Sequence, residues 1–230
     1  YLENISLKNK KRIFFNFNLR FSTIHKILNK YSNSEELGKI IQINIISSMG
    51  LAYKKKYLDS WRADGKNNLH NIIENSSIHW IDLMIFNFGK SNNSNYFPRL
   101  ISKNGSSFDT NSISLEFDNG LSSSIFTSYA TPLIEHIMII GTTGYIVIEN
   151  DKLELFSPRD TFDDDGLFMK PKNKLVLDFN FRNSIQKSLE NSLNYFLKHV
   201  KQSKGFDISQ YKNSIISNKL VLSLQNFEEH

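Results

Sequence analysis

The sequence predicts an α+β fold, an open and largely antiparallel β-sheet with helices packed on one face. Three observations lead there. Period-two hydrophobic runs separated by tight-turn residues fill residues 112–156. Helical spacing of apolar residues takes over the final third, across residues 183–200 and 208–224. No Gly-x-Gly-x-x-Gly follows a strand anywhere, so the phosphate-cradling turn of a doubly wound dinucleotide fold is missing.

In chain order, residues 13–19 alternate enough for a strand. Residues 21–31 follow with Ile24, Ile27, Leu28 and Tyr31 at helical spacing and Ser22 as N-cap. A turn over 34–39 leads into the β-branched run 40–46, a second strand. Residues 50–71 carry no clean period, and so long a loop inside a domain is a candidate functional segment. A helix spanning His79 then ends at Gly89, a natural C-cap. Residues 112–117 alternate strictly, Asp118-Asn119-Gly120 supplies hairpin chemistry, and 121–129 resumes the strand. Residues 136–140 and 145–148 read as strands around the turn Gly141-Thr142-Thr143-Gly144, with 152–156 and 174–179 adding two more. In the closing helices, Ile185, Leu189, Leu193, Phe196 and Val200 recur at helical spacing. Gathering helices on one face is how such a sheet buries its apolar side.

With 230 residues, 40% of them hydrophobic and 13% aromatic, the chain can bury a substantial core. Its net charge of +5 is spread out. The only tight basic cluster is Lys8, Lys10, Lys11 and Arg12, which reads as a solvated surface rather than a nucleic-acid footprint. The absence of cysteine rules out disulfide and thiolate chemistry and fits a cytoplasmic protein. Apolar windows are too short or interrupted for a membrane span, so neither nucleic acid nor membrane is an expected partner. The sequons at Asn4, Asn75 and Asn104 are what an Asn- and Ser-rich chain yields by chance. Opening on Tyr1, the chain reads as a piece of something longer.

Five segments in order, Asn18-Leu19-Arg20-Phe21-Ser22, Glu36-Leu37-Gly38-Lys39-Ile40, Gly50-Leu51-Ala52-Tyr53-Lys54, Ser60-Trp61-Arg62-Ala63-Asp64 and Ile78-His79-Trp80-Ile81-Asp82-Leu83, resemble the Gfo/Idh/MocA family (glucose-fructose oxidoreductase, inositol dehydrogenase, rhizopine catabolism). Residues 115–120 and 139–144 are similar to strands of that family's sheet. The resemblance covers nearly the whole chain and implies a single C-terminal substrate-binding and oligomerisation domain over 1–230. Residues 1–12 would be the remnant of a connection from an N-terminal NAD- or NADP-binding domain. It implies oxidoreductase activity, with hydride transfer between a nicotinamide cofactor and a sugar, sugar nucleotide or cyclitol hydroxyl, and homo-oligomerisation through the sheet face. The alternative is a non-catalytic relative serving as a ligand-binding or dimerisation module. No cofactor-binding residue is expected within this chain, since the family's Glu-Lys-Pro motif would lie upstream of Tyr1.

The family's Asp-x-Gly-x-His falls on Asn75, Ser77 and His79. Spacing of four puts the first and last residues on one helix face. Histidine titrates near neutrality and can take a hydroxyl proton during hydride transfer. The resemblance therefore makes His79 the proton-transfer residue and Asn75 a substrate contact. Asn75 keeps hydrogen bonding but loses the carboxylate's charge, so it leaves a weaker base. Read from residues alone, His79 is a satisfied helix histidine beside Ile78, Ile81 and Ile85, and only the resemblance turns the reading toward catalysis. Glu74 should point about 100° away around an ordinary helix and is a poor substitute for the missing acid. Trp61 and Arg62 could stack on and hydrogen-bond a sugar or anionic group, or anchor the loop to the core. His70, Lys54 and Tyr53 are expected as surface or packing residues. The family's glycine run is replaced by Leu69-His70-Asn71, whose side chains are expected to narrow or reshape the pocket. Asp163-Asp164-Asp165-Gly166 lacks the ligand pattern of a calcium loop and reads as a solvated turn. With no His-x-x-x-His pair, no metal site is expected.

Overall fold

The computed structural model describes residue 8, residues 13–202 and residues 208–226. Its strands are β1 (Ile40–Ser48), β2 (Ser91–Arg99), β3 (Thr110–Phe117), β4 (Ser122–Ser128), β5 (Ile134–Gly141), β6 (Tyr145–Glu149), β7 (Lys152–Phe156) and β8 (Asn173–Asp178). They form one open sheet in the order β2-β3-β4-β1-β5-β6-β7-β8. Only β1 and β4 run parallel, because the chain leaves β1 through a helix before returning by β2 and β3; every other neighbouring pair is antiparallel. The expected hairpins form. Gly120, at φ +80°, donates to the Phe117 carbonyl, and Gly141 donates to Gly144 between β5 and β6. Asp163 folds its own turn by accepting from the amides of Asp165 and Leu167.

Among the described residues, four helices of nine residues or more accompany the sheet: α1 (Thr23–Tyr31), α2 (Ile78–Phe88), α3 (Phe181–Lys201) and α4 (Ile208–Gln225). The Ser22 hydroxyl caps α1 by accepting from the His25 amide at 3.2 Å. Gly89, at φ +87°, ends α2 by donating to Ile85. The core joins the inward residues of the sheet, such as Ile43, Ile125, Ile139 and Ile148, to Ile81, Met84 and Ile85 of α2. On the opposite sheet face Ile46, Phe126, Met138, Ile140 and Val147 are half-exposed, each on the outward side of its cross-strand pair. Among the described residues no helix is long and apolar enough to cross a membrane. Lys10, Lys11 and Arg12, most of the 1–12 segment, Asn4 and His230 lie outside the described residues.

Three expectations are corrected. Residues 13–19 are not a strand: they run without a ladder partner into the 3-10 turn Asn18–Phe21. Their polar side chains bond helix α3 instead, Asn18 Nδ2 donating to Ser188 Oγ at 2.7 Å and Ser192 Oγ donating to Asn16 at 2.6 Å. The buried face of α3 is consequently Phe181, Ser184, Ser188 and Ser192, while Leu189, Leu193 and Val200 of the apolar stripe are exposed. Strand β2, unforeseen in the sequence, is Ser-Asn-Asn-Ser-Asn-Tyr-Phe-Pro-Arg, and it hydrogen-bonds only β3 at the sheet's edge. Asn is poor in strands and proline survives only at edges, so neither composition nor alternation marked it.

Candidate active site

Helix α2 does not begin as an α-helix. Residues Ile73–Ser77 form a π-helical turn that runs directly into it. Such a turn closes hydrogen bonds one residue further along than an α-helix does, and single π turns recur at functional sites. Asn75 lies inside it and His79 one residue past the start of α2. Both line a cavity of about 610 Å³. Ser77, where the resemblance places glycine, points the other way. Its hydroxyl joins Thr127 Oγ1 at 2.6 Å and accepts from Asn111 Nδ2 at 2.9 Å in a fully buried knot that fixes the π turn against β3 and β4. Glu74 also leaves the cavity, accepting from Gln225 of α4 at 2.8 Å and from Asn68.

His79 is half-buried, with the Phe17 ring edge-on at 6.1 Å. Its Nδ1 is buried and has no hydrogen-bond partner among the described residues, which leaves Nε2 as the nitrogen reachable from the cavity. Burial lowers its pKa from the ordinary value near 6.5, and the nearby Asp82 carboxylate offsets only part of that. The imidazole is therefore neutral at pH 7 and able to accept a proton.

The Asn75 amide donates to the Tyr129 hydroxyl at 2.6 Å. Tyr129 lies just past the end of β4 and is buried beside Tyr57, the two rings meeting edge-on at 5.9 Å. Burial raises the Tyr129 pKa, while Asn75, Arg62 and Ser76 stabilise its ionised form in part. Tyr57, fully buried, has no partner for its hydroxyl, and burial together with the Asp109 charge pushes its pKa up to about 12.

The loop 50–71 is built of short helical turns and is pinned where Ala52 donates to the Tyr129 carbonyl. It supplies Lys56, Tyr57, Ser60 and Arg62 to the cavity wall. Trp61 is not part of that wall; it is 55% exposed, with the Arg62 guanidinium over its ring at 4.6 Å. The cavity thus brings together His79, Asn75 and Arg62, and Trp61 reaches it only through Arg62. Tyr129, Tyr57 and Lys56 were not foreseen as site residues. Lys56 shares the loop already singled out, whereas Tyr129 is indistinguishable in sequence from any residue closing a strand. Leu69, His70 and Asn71 do not line the cavity, against the expectation that they would narrow it: Leu69 is exposed, Asn71 is fully buried, and His70 bonds the Tyr96 hydroxyl at 3.2 Å. Tyr53 and Lys54 are exposed.

Behind the histidine, one turn further along α2, Asp82 is fully buried. Arg20 grips it with two bonds of 2.7 and 2.5 Å, and Ser217 of α4 donates a third at 2.7 Å. The guanidinium also donates to the Gln210 carbonyl at 2.7 Å and lies over the Phe86 ring at 4.7 Å. This ion pair ties the 3-10 turn, α2 and α4 together and holds the helix that carries His79.

Leu19, Met49, Leu51, Ile185 and Leu189 give the cavity an apolar lining suited to the face of a heteroaromatic ring such as a nicotinamide. No glycine-rich strand-to-helix turn is present to hold the dinucleotide phosphates.

A model of the GFO/IDH/MocA C-terminal domain matches residues 25–147, more than half of the chain. No curated protein matches it. Among solved structures, the chain is similar to an oxidoreductase from Agrobacterium radiobacter in complex with NAD+, L-tartaric acid and magnesium. The identity is 19% and the TM-score 0.70, over 98% of this chain and 66% of that one. It is also similar to an oxidoreductase from Thermotoga maritima, at 20% identity and TM-score 0.74 over 98% of this chain and 63% of the other. A third likeness is to a levoglucosan dehydrogenase in complex with NADH and levoglucosan, at 18% identity and TM-score 0.64 over 91% and 63% of the two chains. The chain spans about two thirds of the length of these structures, which share its fold. The chain belongs to the Gfo/Idh/MocA oxidoreductase family and carries that family's C-terminal domain.

Proposed function

We propose that this domain forms the substrate side of a NAD- or NADP-dependent oxidoreductase acting on a hydroxyl of a sugar, sugar nucleotide or cyclitol, with His79 as the acid/base. The observation that carries this reading is the His79 imidazole, its Nδ1 without a hydrogen-bond partner among the described residues and its pKa lowered by burial, on the wall of a cavity that also holds Asn75, Tyr129 and Arg62. NAD or NADP, when bound, supplies the hydride acceptor. His79 Nε2 takes the hydroxyl proton as the carbon–hydrogen bond breaks and the carbonyl forms, and it returns that proton in the reverse direction. Asn75, held by Tyr129, offers its amide oxygen to a substrate hydroxyl. The exposed residues Leu189, Leu193 and Val200 continue the cavity's apolar wall along α3, which supports a dinucleotide-binding domain on that side. The levoglucosan and tartaric acid held by two of the similar structures support a small polyhydroxylated substrate.

The test is reduced-cofactor absorbance with the full-length protein across a panel of sugars and cyclitols. Turnover with at least one of them is expected. Asn75 favours one other reading, a non-catalytic ligand-binding or dimerisation module, and silence across the panel would support it. Asn75→Asp restores the family's carboxylate. A negative charge beside His79 strengthens the base, and Tyr129 can reverse its bond and donate. We expect kcat for this variant to equal or exceed that of the parent.

The half-exposed outer sheet face, with Ile46, Phe126, Met138, Ile140 and Val147, supports association with a second copy. Light scattering should give at least a dimer, and Val147→Asp together with Met138→Lys should yield a monomer with unchanged helix content.

A further inference from the structure

We infer that the substrate of this cavity carries an anionic group, a carboxylate or a phosphate, bound by Arg62 and Lys56. The inference rests on the reading that the cavity is the substrate site. Its basis is the charge of the wall: Lys56 and Arg62 line the cavity and no aspartate or glutamate does. Neither cation has an ion-pair partner among the described residues. Of the acids nearby in sequence, Asp59 is exposed, lies outside the cavity wall and forms no ion pair with either cation among the described residues, and the other two are otherwise engaged. Asp64 accepts from Asn67 and from the Lys66 amide, and Glu74 is turned to Asn68 and Gln225.

The neutral polar groups point the same way. The Tyr57 hydroxyl has a proton to give and no acceptor for it among the described residues. The Tyr129 oxygen already faces the Asn75 amide and Arg62, so its own proton is what it can offer. Ser60 uses its hydroxyl inside the loop, donating to the Tyr57 carbonyl at 2.7 Å and accepting from the Arg62 amide, which fixes the backbone that presents Arg62. The Trp61 ring lies against the guanidinium, 4.6 Å from its central carbon. A wall rich in donors, with two unpaired cations and no carboxylate, matches an oxyanion better than a neutral polyol. A neutral polyol needs strong acceptors for its hydroxyls as well as donors. Asn75, on the same wall, is an uncharged amide, so nothing there repels an anion.

Calorimetric titration of the protein with matched pairs tests this: glucuronate and galacturonate, and glucose 6-phosphate, each against its neutral parent sugar. At least one acidic member should bind ten-fold or more tightly than its parent, with affinity falling as salt rises. Uronates and phosphates separate the two sources of charge. Arg62→Gln should abolish the preference, Lys56→Gln, at an exposed position, should weaken it several-fold, and Arg62→Lys should restore part of it. Equal or tighter binding of the neutral parents, no binding by any acid, or an acid preference unmoved in both glutamine variants overturns the inference. So does a full-length Arg62→Gln protein whose KM rises for NAD(P) alone, since the anion would then be the cofactor's. Turnover of neutral sugars only would remove the anionic substrate and leave the oxidoreductase reading standing. Arg62-dependent acid binding without turnover of any sugar would do the reverse.

Discussion

Arg20→Ala should cost about 3–5 kcal/mol of folding stability, the largest loss expected from any single side chain outside the apolar core. The reason is Asp82. Its carboxylate is fully buried, burial pushes its pKa upward, and the Arg20 guanidinium and the Ser217 hydroxyl hold it ionised against that push. Removing the guanidinium strands a buried charge and also releases the Gln210 carbonyl and the contact with Phe86. Denaturant unfolding of the domain measures the loss as a fall in midpoint at constant slope. An isosteric apolar pair, Arg20→Met with Asp82→Leu, should recover much of the stability, because a buried pair mostly offsets its own desolvation. A loss below about 1 kcal/mol in the single variant would mean that Asp82 is neutral in the fold and that α2 is not held through it.

His79→Ala should lower kcat/KM of the full-length protein by on the order of 10²-fold or more, while leaving the domain folded. Folding should survive because His79 makes no hydrogen bond through its buried Nδ1, and the helix around it is anchored by Asp82 and by the Ser77 knot. The loss should fall on kcat rather than on substrate affinity, since the proton moves in the transition state while Asn75 and Arg62 still bind. An Arg62→Gln variant should show the opposite split, with KM raised and kcat little changed.

The sheet was largely legible in the sequence because its inner strands alternate or are β-branched, and because Gly89 and Gly120 stand where a positive φ is needed. What was illegible depends on partners distant along the chain. Ser188 and Ser192 can lie on the buried side of α3 because Asn18 and Asn16, some 170 residues earlier, meet them with hydrogen bonds. A rule that buries the apolar stripe therefore turns this helix the wrong way round. The π turn before α2 is equally invisible to spacing rules, which assume 3.6 residues per turn. Asn75, Arg62 and His79 could be singled out from motif order. Tyr57 and Tyr129 could not, since a buried tyrosine in a loop or after a strand carries no local mark of the cavity it lines.

The pH dependence of kcat/KM for substrate oxidation, compared between the parent protein and His79→Gln, tests the acid/base assignment most directly. Burial lowers the His79 pKa, so the neutral base persists below pH 6.5 and is lost only as pH falls through that lowered value. The parent should therefore show an acidic limb with an apparent pKa under 6.5, and His79→Gln should be slow and flat across the same range. An acidic limb that persists unchanged in the glutamine variant would assign the proton transfer to another group.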